Sequence, residues 1–308
     1  LSAQAVLEVT VPTRRPDLKD EWNLIEEIGR MRGYEKIAPA APLLPLTLPP
    51  VNSQKKRERL IKETLADFGF DELMTYSFYG KKDLLAARLP EERHIILENP
   101  MNPDQEYLRF SLLPTVLRKV RENLRHFDQL SVFEYGSVFK QGGSSAQLRE
   151  YKDVVLVSVA GAKEKVVPFY QLKGEAIAFL ERLGLTDIRF EALAAEHSQT
   201  AGTILHPSRA AAVLAEGKVV GFLGDLHPSV AKAFGLPGGR VAVAGFAVAH
   251  LAAVESAEPT FEALQKFPYA LRDISLWFPV AVTVAEAEQA LRDGGGALLQ
   301  NVELFDTY

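Results

Sequence analysis

The sequence predicts an α+β protein whose largest unit is an antiparallel sheet with helices on one side. Three observations carry this. Two runs, LSVFEYGSVF (130–139) and DVVLVSVAG (153–161), are rich in β-branched and aromatic residues and flank the glycine-containing loop QGGSSAQLRE, a hairpin signal. Further short strand-like runs lie near 187–192, 210–215, 218–225 and 241–248. Between and before them come capped stretches with apolar residues at spacings of three and four, the mark of amphipathic helices.

Composition sets the frame. With 308 residues, two or three domains are expected, and 47% apolar against 24% charged residues is enough for a sizeable core. A net charge of −5 argues against bulk electrostatic capture of nucleic acid. The absence of cysteine excludes disulfides, thiolate nucleophiles and cysteine-bound zinc, and fits a reducing compartment. No apolar run approaches the ~18–20 residues of a membrane helix. The chain opens on LSAQAVLEVTVP, with neither an initiator methionine nor a signal pattern, and reads as a piece of something longer.

Taken in order, AVLEVTV (5–11) alternates like a strand, and Pro12 and Pro16 break it. An acidic helix over 20–32 stops at Gly33, with Leu24, Ile25, Ile28 and Met31 as its core side. APAAPLLPLTLPP (38–50) has five prolines in thirteen residues, too many for a helix or an inner strand, so residues 40–52 are a semi-rigid connector. From Ser53, SQKKRERLIKETLADFGF is a helix with Leu60, Ile61, Leu65 and Phe68 inward and Gly69 at its end. ELMTYSF (72–78), a short polar helix, HIILENP (94–100) and a long helix over 114–127 lead to the hairpin. A helix over 168–183 and the remaining strands complete a core over 53–252. The polar stretch 253–265 links it to a β-α-β start at 266–308: YALRDISLWFP, VTVAEAEQALRDGG and ALLQNVELFD, half of a ferredoxin-like unit.

The chain carries few catalytic signals. There is no P-loop, no GxGxxG after a strand and no GxSxG elbow. His206-Pro207 and His227-Pro228 form a doubled pattern, most simply read as turn and helix-start chemistry. KKRER (55–59) reads equally well as a wet helix face or a nucleic-acid patch. Asn23, Glu26 and Glu27 share one helix face with Asp17 upstream. On the residues alone that is a solvated acidic arc paired with Arg14, Arg15 or Arg30.

VPTRRPDLKDEWNLIEEIGRMRGYEKI resembles the end of a module in the β subunit of bacterial phenylalanyl-tRNA synthetase, with its Val-Pro-x-x-Arg-x-Asp start and Gly-Tyr close. The likeness continues in order through FGFDELMTYSF, ENPMNPDQEYLRFSLLPTVLRKVRENL, FEYGSVF, the doubled His-Pro segment (Ser208 standing where glycine is usual), FPYALRDISLWF and LFDTY. It covers nearly the whole chain.

The resemblance implies a class II synthetase-like antiparallel core, preceded over 1–39 by the end of a winged-helix-like, DNA-binding-like module and followed over 266–308 by part of a ferredoxin-fold anticodon-binding domain. It implies a cytoplasmic α2β2 heterotetramer that attaches phenylalanine to tRNA-Phe with ATP and magnesium, the α subunit binding ATP and phenylalanine. The β core would then be catalytic-like only. Class II chemistry needs a motif-2 arginine and a second, late arginine to neutralise the reacting phosphate. Glu134-Tyr135-Gly136 stands where Arg-x-Glu is expected, and no Gly-x-Gly-x-x-Arg follows residue 220. No catalytic residue is therefore assigned. The alternatives are a self-sufficient class II-like ligase or amino-acid-binding enzyme, and a general RNA-binding module. The resemblance also implies a magnesium site shared with the α subunit at Asp17, Asn23, Glu26 and Glu27. Position 23 carries aspartate in the family, so the site should be weakened here and empty in this chain alone.

Overall fold

The computed structural model describes residues 7–45, 47–141, 148–161, 167–193, 203–254, 261, 264 and 266–306. Its centre is a seven-stranded sheet built from β1 (Asp71–Glu72), β5 (Leu130–Gln141), β6 (Leu148–Val159), β7 (Arg189–Ala192), β8 (Leu205–Ala215), β9 (Lys218–Leu226) and β10 (Val241–Ala247). Their order is β1-β5-β6-β10-β9-β8-β7, antiparallel except for the short parallel β1–β5 pair. A three-stranded sheet of β2 (Phe78–Tyr79), β4 (Tyr107–Leu108) and β3 (Ile95–Ile96) lies apart from it.

Both faces of the large sheet are covered, where the sequence reading placed helices on one side only. Alternate residues of β5, β6 and β10 point opposite ways, so each strand feeds two cores. Val132, Val138, Val155, Val157, Val241 and Val243 pack under α3 (Lys81–Ala86), α4 (Leu113–Asn123) and α6 (Pro228–Phe234). Phe133, Tyr135, Val154, Leu156, Ala244 and Phe246 pack under α2 (Ser53–Asp67), α5 (Pro168–Arg182) and α7 (Val248–Ala253). A strand buried on both faces reads as a nearly continuous apolar run, and VVLVSV in β6 is one.

The helices follow their local chemistry. In α4, Leu113, Val116, Leu117 and Val120 are buried at i, i+3, i+4 and i+7, with Pro114 in the first turn. Asn52 caps α2 by accepting the Lys55 N–H, and Ile61, Thr64 and Leu65 form its inner face; Leu60 and Phe68, expected inside, are exposed. Gly235, in the left-handed region at φ 67°, ends α6.

The two ends of the chain depart from expectation. Residues 7–11 form no strand, and α1 (Glu21–Arg32) buries nothing: Ile25, Ile28 and Met31, expected as core, are exposed. Near the other end α8 (Val284–Gly295) forms with a Thr283–Glu286 capping box. The flanking stretches expected as strands pair with nothing among the described residues and leave Leu276, Phe278, Leu298 and Leu304 exposed. Alternation alone cannot make a strand without a neighbour to accept its ladder.

Buried His94 ties the elements of the small sheet to one another. Its Nδ1 lies 2.9 Å from the Pro90 carbonyl, so that nitrogen donates; Nε2 accepts from the Tyr79 hydroxyl at 2.5 Å, and that hydroxyl accepts from Phe110 N–H. A second ring proton would face a hydroxyl already arranged to donate. Burial accordingly pushes the His94 pKa below its ordinary value of 6.5. Above that value both folded and unfolded chains hold this histidine neutral. Below it the unfolded chain takes up the proton first, so stability falls on acidification until the folded pKa is passed. Denaturant unfolding across roughly pH 5–7 should show stability rising with pH, and His94→Gln should flatten that slope. An identical slope in the variant would remove His94 from this role.

Candidate functional site

The acidic arc is set by a turn. Arg15 N–H donates to the Pro12 carbonyl and Leu18 N–H to the Arg15 carbonyl, which folds the stretch before α1 back toward the helix. The Arg15 guanidinium then lies between two of the expected ligands. It donates to Asp17 through Nε (3.0 Å) and Nη2 (2.7 Å), and to Glu27 Oε1 through Nη2 (2.6 Å). Arg30 closes the other side on Glu27 Oε2 at 2.5 Å. Hydrogen bonds from Arg15 and then Arg30 hold Glu27 down to about 2, and Arg15 holds Asp17 below the usual carboxylate range.

Asn23 is also committed, its Oδ1 accepting the N–H groups of Lys19 (3.1 Å) and Asp20 (3.0 Å) at the helix start. Glu26 is exposed and makes no ion pair among the described residues. Magnesium demands near-octahedral oxygen ligands. Asp17 and Glu27 already face a guanidinium, and Asn23 faces two donors. Among the described residues no group of three or more histidine, aspartate or glutamate side chains could hold a metal. As they stand, these four residues do not fit a divalent cation. Of the arginines near the arc, Arg15 and Arg30 pair with it, and among the described residues Arg14 does not.

A second constellation lies in the core, at the sheet position where the class II resemblance asks for an arginine. Arg109 is 3% and Glu134 2% exposed, and they meet at 2.6 Å. Arg109 leaves β4 with its backbone stitched to both sides: its N–H donates to Ser77 and its carbonyl accepts from Phe139 in β5. Its Nε donates to the Ser137 carbonyl (2.6 Å) and Nη1 also reaches Thr75 Oγ1 (3.0 Å). The Thr75 hydroxyl donates to Glu134 Oε2 at 2.8 Å. Thr115 of α4 lies 2.9 Å from the same hydroxyl.

Gly136 completes the arrangement. A Cβ there would stand 2.4 Å from Arg109 Nη2, so the guanidinium needs the bare backbone of that strand. In the sequence Glu134 and Gly136 stand out where the motif-2 arginine is expected, whereas Arg109 does not. The legible signal was a charge isolated in each of two apolar runs, YLRFS and VFEYG.

Beside this network, β6, β9, β10 and α7 enclose a cleft of about 540 Å³ lined by Phe110, Lys140, Asp153, Phe222, Gly245 and His250, among others. The doubled His-Pro pattern takes its plain reading. His206 Nδ1 accepts from Ser208 N–H and His227 Nδ1 from Ser229 N–H, the latter capping α6. The KKRER cluster is the start of α2, with Lys55 paired to Glu58 and Arg57 donating to the Leu251 carbonyl.

Comparison with known proteins places these features. Residues 37–248 match the family model described as the phenylalanyl tRNA synthetase beta chain CLM domain, and residues 2–34 the tRNA synthetase B5 domain. Phenylalanine–tRNA ligase beta subunits are similar along the chain. That of Symbiobacterium thermophilum is 35% identical over 100% of this chain and 35% of its own length, and that of Bacillus subtilis 32% identical over 99% and 38%. The chain thus spans little more than a third of these relatives. Among solved structures, pyrrolysyl-tRNA synthetase from Desulfitobacterium hafniense superimposes with a TM-score of 0.50 at 18% identity, over 64% of this chain and 67% of its own. That likeness shows a class II synthetase-like fold for the sheet and its helices.

The buried pair should behave as one unit. Arg109→Met or Glu134→Leu alone leaves a buried charge uncompensated and should cost about 3–5 kcal/mol in denaturant unfolding. The double variant should cost clearly less than the sum. Additive losses would mean that the two side chains do not depend on each other.

Proposed function

Because the chain belongs to the phenylalanyl-tRNA synthetase β-chain family, we propose that it is the core-bearing part of a phenylalanine–tRNA ligase β subunit. In this reading it supports, without performing, the ATP-dependent attachment of phenylalanine to tRNA-Phe by an α subunit in a cytoplasmic α2β2 assembly. The observation that carries the noncatalytic part is the Arg109–Glu134 pair. An arginine serving a reacting phosphate must present free donors to a ligand. Here Nε and Nη1 of the arginine on this sheet face are spent on Glu134, Thr75 and the Ser137 carbonyl. No Gly-x-Gly-x-x-Arg after residue 220 supplies another.

The acidic arc fits the same reading as part of a subunit contact. A magnesium ion shared with the α subunit would need Arg15 to turn away from Asp17 and Glu27, and Asn23 would bring no charge to it. In the chain by itself Arg15 supplies the positive charge between the carboxylates. The surrounding 1–39 segment and the 266–308 segment are proposed as the ends of neighbouring modules, winged-helix-like and ferredoxin-like, whose exposed apolar side chains await partners. No described helix is long and apolar enough to cross a membrane.

Two measurements test this. The purified chain should give no phenylalanine-dependent pyrophosphate exchange with ATP, and should join a purified α subunit in a larger species on size measurement. Exchange above background that a core substitution abolishes would overturn the noncatalytic role.

Magnesium titrated calorimetrically into the chain alone should give no submillimolar binding. Such binding, lost on Glu26→Gln, would mean that Arg15 does not hold the position.

A further inference from the structure

The doubled His-Pro pattern brings two histidines to one corner of the molecule. Leu205 of β8 is in register with Leu226 of β9, and His227 N–H donates to the Ile204 carbonyl. His206 and His227 therefore lie diagonally across the same end of this strand pair, both half-buried. α3 packs against α6 here, and Arg88, two residues past α3, enters from that side. Burial, then the charge of Arg88, then His206 push the His227 pKa below its ordinary value of 6.5.

Both rings are set in the same way. Nδ1 of His206 accepts Ser208 N–H at 3.2 Å, and Nδ1 of His227 accepts Ser229 N–H at 3.1 Å, with the Ser229 hydroxyl 2.7 Å away. A backbone N–H can only donate, so each Nδ1 keeps its lone pair and the ring proton sits on Nε2. Among the described residues neither Nε2–H has a partner. A metal ion would need a bare nitrogen there, and neither ring offers one. The tautomer selects a ligand that accepts hydrogen bonds.

Arg88 supplies the charge. Its N–H donates to the Leu85 carbonyl, and its backbone lies in the left-handed region at φ 57°, where glycine is the usual residue. Its exposed side chain makes no ion pair or hydrogen bond among the described residues. The neighbouring carboxylates are engaged elsewhere. Arg209 holds Asp225 at 3.2 Å, Arg118 holds Asp83 at 2.6 Å and Lys81 holds Glu91 at 2.9 Å, while Glu92 lines the cleft over the sheet. Lys232 of α6 and Arg121 of α4, which would lie 3.0 Å from a Cβ at Gly235, add positive charge on the same helix layer.

We propose that this corner binds a phosphate group, the Arg88 guanidinium taking two oxygens and the Nε2–H groups of His206 and His227 donating to the remainder. A carboxylate has only two oxygens, which the guanidinium fork alone would fill. No bond is made or broken. The site shares no lining residue with the cleft over the sheet, and it does not rest on the assignment of the chain to a ligase assembly.

The test uses the chain alone near neutral pH, with histidine ring resonances as the readout. Three probes are titrated: inorganic phosphate, a short oligouridylate ending in a 5′-hydroxyl, and the same oligomer with a 5′-phosphate. Ring nitrogen shifts should show the Nε2–H tautomer for His206 and His227, and phosphate should move both rings saturably in the millimolar range. Arg88→Gly removes the guanidinium and suits the left-handed backbone. It should unfold no earlier than the wild type and bind at least about tenfold more weakly. If it does not fold, His206→Ala is measured in its place and should also bind more weakly. Binding of the 5′-hydroxyl oligomer at least as tight as that of phosphate identifies an RNA backbone as the source. Binding of phosphate and the 5′-phosphorylated oligomer alone identifies a free or terminal phosphate, and either result upholds the site. Rings that none of the three probes moves overturn the proposal, as does equal binding by the wild type and the folded variant.

Discussion

The Arg109–Glu134 ion pair is the constraint around which the core is arranged. Two opposite charges this deeply buried are tolerable only if nearly every remaining donor and acceptor is met. Thr75 answers Glu134, the Ser137 carbonyl answers Arg109, and Gly136 stays bare so that the guanidinium can lie against its strand. These partners come from the segment after β1, from β5 and from the turn after β4. The electrostatic requirement therefore ties the small sheet to the large one. Thr115 adds the first turn of α4, so the helix layer over that face is fixed by the same network.

Under the proposed noncatalytic role, the same network accounts for a synthetase-like sheet without the corresponding chemistry. A charge meant for a ligand has to be kept unsatisfied by the protein, since a satisfied charge has little left to offer. At this position the protein has taken the opposite course and spent its arginine on its own carboxylate. The gain is a specified core. In that reading fold and activity come apart through the placement of a few hydrogen bonds, with the strand order left intact.

Much of the core was legible because burial writes periodicity into sequence. Glu134 and Gly136 interrupt the apolar alternation of β5 on one face, which is the pattern of a sheet covered on one side only. Both residues are in fact buried among polar partners, so helices on the second face were missed. Arg109 was missed for the related reason that a lone arginine in YLRFS looks like surface until its distant carboxylate is known. Outside the core the failure runs the other way. The apolar residues of α1 and of the stretches around α8 follow the patterns of buried faces, yet nothing described here covers them. A pattern states that a face should be buried and is silent about which partner buries it.

The acidic arc shows a further limit of sequence spacing. Asp17, Asn23, Glu26 and Glu27 are correctly placed near one another by helix geometry, and spacing alone invites a cation among them. What spacing omits is the turn that brings Arg15 back onto the helix. A guanidinium offers charge and directed donors to carboxylates without having to be captured from solution. Wherever a chain can fold its own arginine into an acidic cluster, a metal ion must displace that arginine before it can bind. The strength of such a site is thus decided by the competing ion pair as much as by the number of oxygens, and an amide such as Asn23, which brings no charge, tilts that competition further toward the arginine.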